Sequence, residues 1–243
     1  MLIDTHAHSD PFNAIPISLD HPVIFVSVDL NSAKNLINQL SVDNPHQIMA
    51  VGVHPWFVKA PLLLDLLFEF IEHHQLKIMG EIGLDFSTQY RDYQSDQLSV
   101  FSQQLRFAHQ QGLSVSLHLV KAFDSMHQLL TQYPVKGAIH GFPASVEQAQ
   151  RFTKLGLKIG INGLILRDNA PRYHKMVRDL PLTDIVLETD SPNICYPNGQ
   201  VGDLAMIYLV AQKVAEIKSC PLDEVIEITG HNAIESFQLE QFR

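Results

Sequence analysis

The sequence predicts an α/β fold, a closed barrel of eight parallel strands with helices outside it, on three observations. Short runs rich in Val and Ile alternate with longer amphipathic segments from one end of the chain to the other, the pattern of a parallel sheet covered by helices. Eight such runs can be counted, and no glycine-rich phosphate loop follows the first, which favours a (β/α)8 TIM barrel over an open doubly wound sheet. The length of 243 residues fits one such domain, residues 1–243, because barrels of this kind run to about 250 residues.

The strand candidates are 2–8, 23–29, 48–54, 77–85, 114–120, 136–142, 158–166 and 185–190. Between them lie helical candidates at 32–40, 62–74, 94–111, 123–132, 146–155 and 173–180. The third shows the pattern best: Leu98, Phe101, Leu105 and Ala108 fall three or four residues apart on one face, and Gly112 supplies the stop. Past the last strand, 204–218 reads as a long helix, and 223–229 with 233–237 as a closing helical pair. Residues 9–21, with prolines at 11 and 16 and another following at 22, read as irregular.

At 46% hydrophobic and 18% charged residues, the composition is ordinary for a globular enzyme and too apolar for a disordered chain. A formal charge of −9 repels nucleic acid overall, so a polyanionic substrate needs a local positive focus such as bound metal. Cys195 and Cys220 are too few and too far apart for a disulfide framework or a zinc ribbon, which points to a reducing compartment. The start of the chain lacks a basic segment running into an apolar core. The apolar stretch 61–68 is broken by Asp65 and is too short to span a bilayer. A soluble cytoplasmic protein is expected, with no membrane association and no obligate protein partner.

The chemistry gathers at strand ends. Side chains two apart in a strand share a face, roughly 7 Å apart along it, so His6 and His8 in Asp4-Thr5-His6-Ala7-His8 point the same way and can grip one cation. Barrels of this type build their active sites at the carboxyl ends of the strands. Here His54 closes the third run, Glu81 lies late in the fourth, His118 and His140 close the fifth and sixth, and Asp190 closes the eighth. Thirteen histidines add weight, since His is the commonest metal ligand.

Imidazoles and two carboxylates without a thiolate suit zinc, manganese or another divalent ion better than calcium or an iron–sulfur cluster. The set exceeds the needs of one tetrahedral ion, whereas two ions roughly 3.5–4 Å apart, bridged by a carboxylate, would use all of it. Glu81 is the natural bridge. Asp190, on the strand beside the first once the barrel closes, can reach the His6/His8 ion and its water. Glu188 is expected to face with Asp190, Asp4 with His6 and Asp85 with Glu81, each orienting ligands rather than binding metal.

Asp-Thr-His-x-His at the start, Gly-Val-His-Pro at 52–55, Gly-Glu-Ile-Gly-Leu-Asp at 80–85 and Glu-Thr-Asp-Ser-Pro at 188–192 resemble the TatD family of metal-dependent deoxyribonucleases, among the amidohydrolase-like barrels. The resemblance extends over essentially the whole chain, to Asn232-Ala233 before the final apolar helix. It implies that His6 and His8 hold one metal and His118 and His140 the other, with Glu81 bridging and Asp190 acting as ligand and proton acceptor. Three loops depart from the family pattern: Val120-Lys121 stands where an arginine is common, Gly141-Phe142-Pro143-Ala144-Ser145 replaces Cys-Phe-Ser-Gly, and 197–203 lacks the usual Asn-Glu-Pro.

The resemblance implies phosphodiester hydrolysis in DNA near a 3′ end, by water activated on two divalent ions, zinc, manganese or magnesium. Asp190 takes the proton, Glu81 holds the ions, and His54 and Lys121 steady the phosphate. Two rivals stay open: a related barrel hydrolase cleaving an amide, a lactone or another small ester, and a metal-binding scaffold without activity. Glu81 argues against the first, whose members usually bridge their metals through a modified lysine, and the full ligand set argues against the second.

Overall fold

The computed structural model describes residues 1–9, 15, 19–41, 43–59, 64–142 and 144–242. Pro11, Pro16 and Pro143, and residues 61–63 at the start of the second helical candidate, lie outside the described residues.

All eight apolar runs are strands: β1 (Asp4–His8), β2 (Val23–Val26), β3 (Gln47–Ala50), β4 (Ile78–Asp85), β5 (Ser114–Val120), β6 (Gly137–Ile139), β7 (Lys158–Ile161) and β8 (Ile185–Leu187). They lie in one parallel sheet in chain order. β8 and the residues just after it return to β1 through several hydrogen bonds. Thr5 Oγ1 donates to the Leu187 carbonyl at 3.0 Å, Asp190 N to the His6 carbonyl at 2.9 Å and His8 N to the Ser191 carbonyl at 2.7 Å. Several ladders end before the apolar run does. Past Ala50, for example, Val51 still exchanges backbone bonds with Ile78 and Gly80 of β4 at 3.3 and 3.1 Å, but Val53 N donates to the Gln104 side chain at 2.7 Å. His54, His140 and Asp190 therefore sit on the loops just beyond β3, β6 and β8, at the rim.

The helices are α1 (Leu30–Gln39), α2 (Leu64–His73), α3 (Gln94–Gln111), α4 (Phe123–Gln132), α5 (Val146–Thr153), α6 (Pro171–Asp179), α7 (Met206–Lys218) and α8 (Leu222–Phe237). α3 ends where the sequence predicts, with Gly112 in the left-handed conformation at φ 66°. The expected closing pair is instead the single helix α8. Gly230 does not break it but allows close packing: a Cβ there would stand 1.9 Å from the Met1 carbonyl oxygen. Asn232 is buried, and its amide donates to the Leu182 and Ile185 carbonyls at 2.8 and 2.7 Å.

α8 plugs the amino-terminal end of the barrel. Ala233, Ile234 and Phe237 share a buried cluster with Ile3, Ile24, Ala50, Ile78, Ala138 and Val186 from the strands; burying side chains such as Phe237 contributes roughly 1.5–3 kcal/mol each. Alternate strand residues, among them Val115, Leu117, Ile159 and Ile161, belong to the larger core shared with the helices. Nearer the carboxyl ends the inward positions become ionisable, and His6, His118, Glu188 and Asp190 take the place of aliphatic side chains.

Two register slips decide which residues face inward. Between Met79 and Ile82, β4 has three steps where β5 has two, from Val115 to Leu117. This bulge switches the alternation, so that Gly83 pairs with the inward His118, and Glu81 and Asp85 join the inward series begun by Ile78. A matching slip in β1 pairs Asp4 with Val23 and Ala7 with Phe25. Asp4 thus shares Ala7's face rather than that of His6, contrary to the simple alternation expected from sequence.

Candidate metal centre

Glu81 stands at the middle of the rim, 2% exposed. Its Oε2 lies 3.6 Å from Nε2 of both His6 and His8, and its Oε1 lies 2.9 Å from His118 Nδ1 and His140 Nε2. Oε2 therefore faces the His6/His8 pair and Oε1 the His118/His140 pair, with His54 Nε2 a third nitrogen on Oε1 at 3.3 Å. Asp190 Oδ1 is 3.5 Å from His8 Nε2 and accepts a bond from the Asn193 amide at 3.2 Å. Ligand atoms of His6, His8 and Glu81, of His6, His140 and Asp190, and of His54, Glu81 and His118 form three sets whose members lie within 4.8 Å of one another.

This donor set fits divalent cations. His6 and His8 present Nε2 atoms 3.3 Å apart, and His118 Nδ1 and His140 Nε2 are 3.1 Å apart. Two facing imidazole nitrogens repel as two lone pairs or as two N–H groups, and are held together by a single shared proton or, with both rings neutral and both lone pairs engaged, by a shared cation. The far ring atoms face oxygens, at hydrogen-bond distance only for His6, since His118 Nε2 and His140 Nδ1 have no hydrogen-bond partner among the described residues. His6 Nδ1 meets Ser116 Oγ at 2.9 Å, while His118 Nε2 faces Asp85 Oδ2 at 3.6 Å and His140 Nδ1 faces Glu188 Oε1 at 3.8 Å. Carboxylates behind ligating rings are a usual feature of metal sites.

Charge follows this geometry. Burial opposes a charge on His140, but the Glu81, Glu188 and Asp190 carboxylates outweigh it and hold the imidazolium up to about 10. Burial also opposes a charge on His118, which Asp85 and Glu81 nevertheless raise. His6 is pushed down to about 4 by burial and by the neighbouring His140 charge. Burial would raise Glu81, yet the surrounding imidazoles hold it well below the usual carboxylate range. Asp190 is likewise lowered by His8 and His140 against its burial. Glu188 is raised to about 8 by burial, with the Asp190 charge adding to it.

His54 plays a different part from the other rings. Its Nδ1 accepts the Trp56 backbone N–H at 3.2 Å, so the proton of the neutral ring sits on Nε2, 3.3 Å from Glu81 Oε1. It is a donor aimed into the centre. Lys121, at the end of β5, is exposed and stands outside the wall of the 440 Å³ cavity over the centre, which His8, His54, Trp56, Phe57, Glu81, His118, His140, Asp190 and Asn193 help to line. Asp4 ties β1 to β8 by accepting from Thr189 N and Oγ1 at 3.0 and 2.7 Å. Asp85 accepts from Trp56 Nε1 at 2.6 Å.

Four residues of the site were not singled out in the sequence: Ser116, Asn193, Trp56 and Phe57. Ser116 had a signal, since it lies two residues before His118 and so shares its face.

The profile of a family described as TatD related DNase matches residues 3–238. The chain belongs to the TatD-related DNase family. Among its relatives, the uncharacterized metal-dependent hydrolase YjjV of Escherichia coli (strain K12) is 29% identical, with 98% of each chain covered. The crystal structure of that protein superposes with a TM-score of 0.85 over 98% of both chains, at 26% identity. The deoxyribonuclease TATDN3 of Homo sapiens is 32% identical over 72% of this chain and 65% of its own length. A dihydroorotase at 10% identity and TM-score 0.61 shares the fold alone, over 98% of this chain and 71% of its own. Like its TatD relatives, this protein is a metal-dependent hydrolase. Among the described residues, no helix is long and apolar enough to cross a membrane.

Proposed function

We propose that the protein hydrolyses phosphodiesters of DNA at a 3′ strand end with two divalent ions, zinc, manganese or magnesium, which His6, His8, His118, His140, Glu81 and Asp190 would hold. The observation that carries this reading is the Glu81 carboxylate, with Oε2 turned to His6 and His8 and Oε1 to His118 and His140. Bound ions supply Lewis acidity, which activates water and offsets charge developing on phosphoryl oxygens. They also supply the positive focus that a chain of net charge −9 otherwise lacks.

The remaining chemistry belongs to the chain. Asp190 accepts the proton of the attacking water: its carboxylate stays ionised, lines the cavity and is oriented by the Asn193 amide. His54 donates through Nε2, to Glu81 in the free protein and to a phosphoryl oxygen in the complex. Asp85 and Glu188 hold the His118 and His140 rings from behind. The cavity of about 440 Å³ is the size of a small-ligand site, which suits a strand end better than the flank of a duplex. Residues 1–243 act as one catalytic domain.

The test is to strip the protein of metal, restore it with zinc, manganese or magnesium, and offer end-labelled DNA and RNA beside a panel of amides and lactones. Metal-dependent shortening of DNA from the 3′ end, abolished in Glu81→Gln, is expected. Turnover of an amide or lactone without DNA cleavage, or DNA cleavage indifferent to chelator and to Glu81→Gln, would overturn the proposal.

A further inference from the structure

We propose that Trp56, with Phe57 beside it, is a stacking platform for a nucleobase of the strand being cut; this rests on the reading of the centre as a DNA hydrolase. The two residues occupy the short helical turn Pro55–Phe57 directly after His54. Both line the cavity over the metal centre, yet they are 44% and 41% exposed. Large aromatic surface held open to water beside a polar centre is surface kept for a ligand.

The indole is held in place. Its Nε1 donates to Asp85 Oδ2 at 2.6 Å, Tyr90 stacks on it at 5.5 Å with planes 17° apart, and the His54 ring meets it edge-on at 4.8 Å. A fixed plane loses little conformational freedom when a second ring stacks against it. The ligand chemistry follows from the neighbours. The Trp56 ring lies 5.9 Å from the His118 ring, so a base on the indole and a phosphodiester at the centre belong to the same or adjacent nucleotides. Lys59 sits over the Tyr90 and Tyr93 rings at 5.3 and 4.5 Å and places a cation next to the platform, where a flanking phosphate would pass. Every base has a π-face, so recognition of this kind tolerates any sequence. It also provides grip that a negatively charged surface cannot.

Trp56 is the single tryptophan of the chain, so its emission reports the contact directly. The metal-loaded protein is titrated with a short phosphorothioate oligothymidylate, and with the same backbone made abasic in its last two nucleotides. Saturable quenching by the first, with binding of the abasic strand weaker by about tenfold and no quenching, is expected. In steady state on ordinary DNA, Trp56→Ala raises KM by about tenfold with the loss carried in KM rather than kcat, and Trp56→Phe, which keeps a ring but not the bond to Asp85, retains most of the affinity. Equal binding of the two strands overturns the platform, as does failure of the base-bearing strand to bind or to quench. A common fall in kcat for both variants also overturns it, because Trp56 would then act through Asp85 and His118. A strand that binds and quenches but is never cut sinks the hydrolase reading and leaves the platform standing.

Discussion

Gly160→Ala should disable the support behind His140 without replacing a metal-holding side chain. Gly160 lies in β7, and a Cβ there would stand 2.2 Å from Glu188 Oε2, 2.7 Å from its Cδ and 3.0 Å from His140 Cα. Glu188 is fully buried and its Oε1 accepts the Gly141 N–H at 2.6 Å, so the carboxylate has to retreat on the order of 1 Å and give up that bond. Overpacking of this kind costs about 1–3 kcal/mol, and loss of a hydrogen bond to Glu188, which is raised to about 8 and so largely neutral at pH 7, about 0.5–1.5 kcal/mol. The expected destabilisation is therefore roughly 3 kcal/mol, which for a domain of this size lowers Tm by about 6–12 °C. Thermal and urea unfolding of the metal-free protein measure it. The same substitution in a Glu188→Ala background should cost far less, because the two closest atoms it collides with are gone and only the 3.0 Å approach to His140 Cα remains. An equal cost in both backgrounds, or a loss below about 1 kcal/mol in the first, would refute the reasoning.

Three further outcomes follow from the same geometry. His54→Ala should keep the metal content of the parent, measured by elemental analysis, while kcat falls by about a hundredfold or more, as for loss of a donor to developing charge; loss of metal would make His54 a ligand instead. Asp85→Asn should weaken metal affinity by about 10–100-fold in competition with a chelator, because Asp85 stands behind His118 Nε2; unchanged affinity would remove it from that role. Metal-free protein should lose stability as pH rises. His140 is raised from 6.5 to about 10, so its contribution is full below 6.5 and is lost through 10; Glu188, raised from 4.5 to about 8, contributes fully below 4.5 and loses that as pH climbs through 8. Scanning calorimetry between pH 6.5 and 10 should show a falling Tm without metal and a much flatter one with it, since a bound ion replaces the His140 proton. A flat metal-free curve would contradict this.

The fold was legible because short apolar runs alternate with amphipathic segments along the chain, and the site because six of the eight runs turn to a candidate His, Glu or Asp at the same end. His6, His8, His118, His140, Glu81 and Asp190 were found as polar residues closing apolar runs, and the structure brings all six within reach of one another. What the sequence hid lies in the third dimension. Period-two alternation cannot show the extra residue in β4 that turns Glu81 and Asp85 inward, nor the one in β1 that turns Asp4 away from His6. Gly230 reads as a helix breaker until the Met1 backbone it admits is seen. His54 reads as one more strand-end imidazole, and only the Trp56 N–H on its Nδ1 identifies it as a donor. Lys121 drew attention as a cation after His118, but its place outside the cavity wall depends on the turn following β5. Trp56 carries no sequence signal at all beyond following His54-Pro55.

The most direct test of the whole account is anomalous diffraction from crystals grown with zinc or manganese. Two peaks are predicted, flanking the Glu81 carboxylate, one against His6 and His8 and the other against His118 and His140. A single peak, or density anywhere else than beside Glu81, would contradict it.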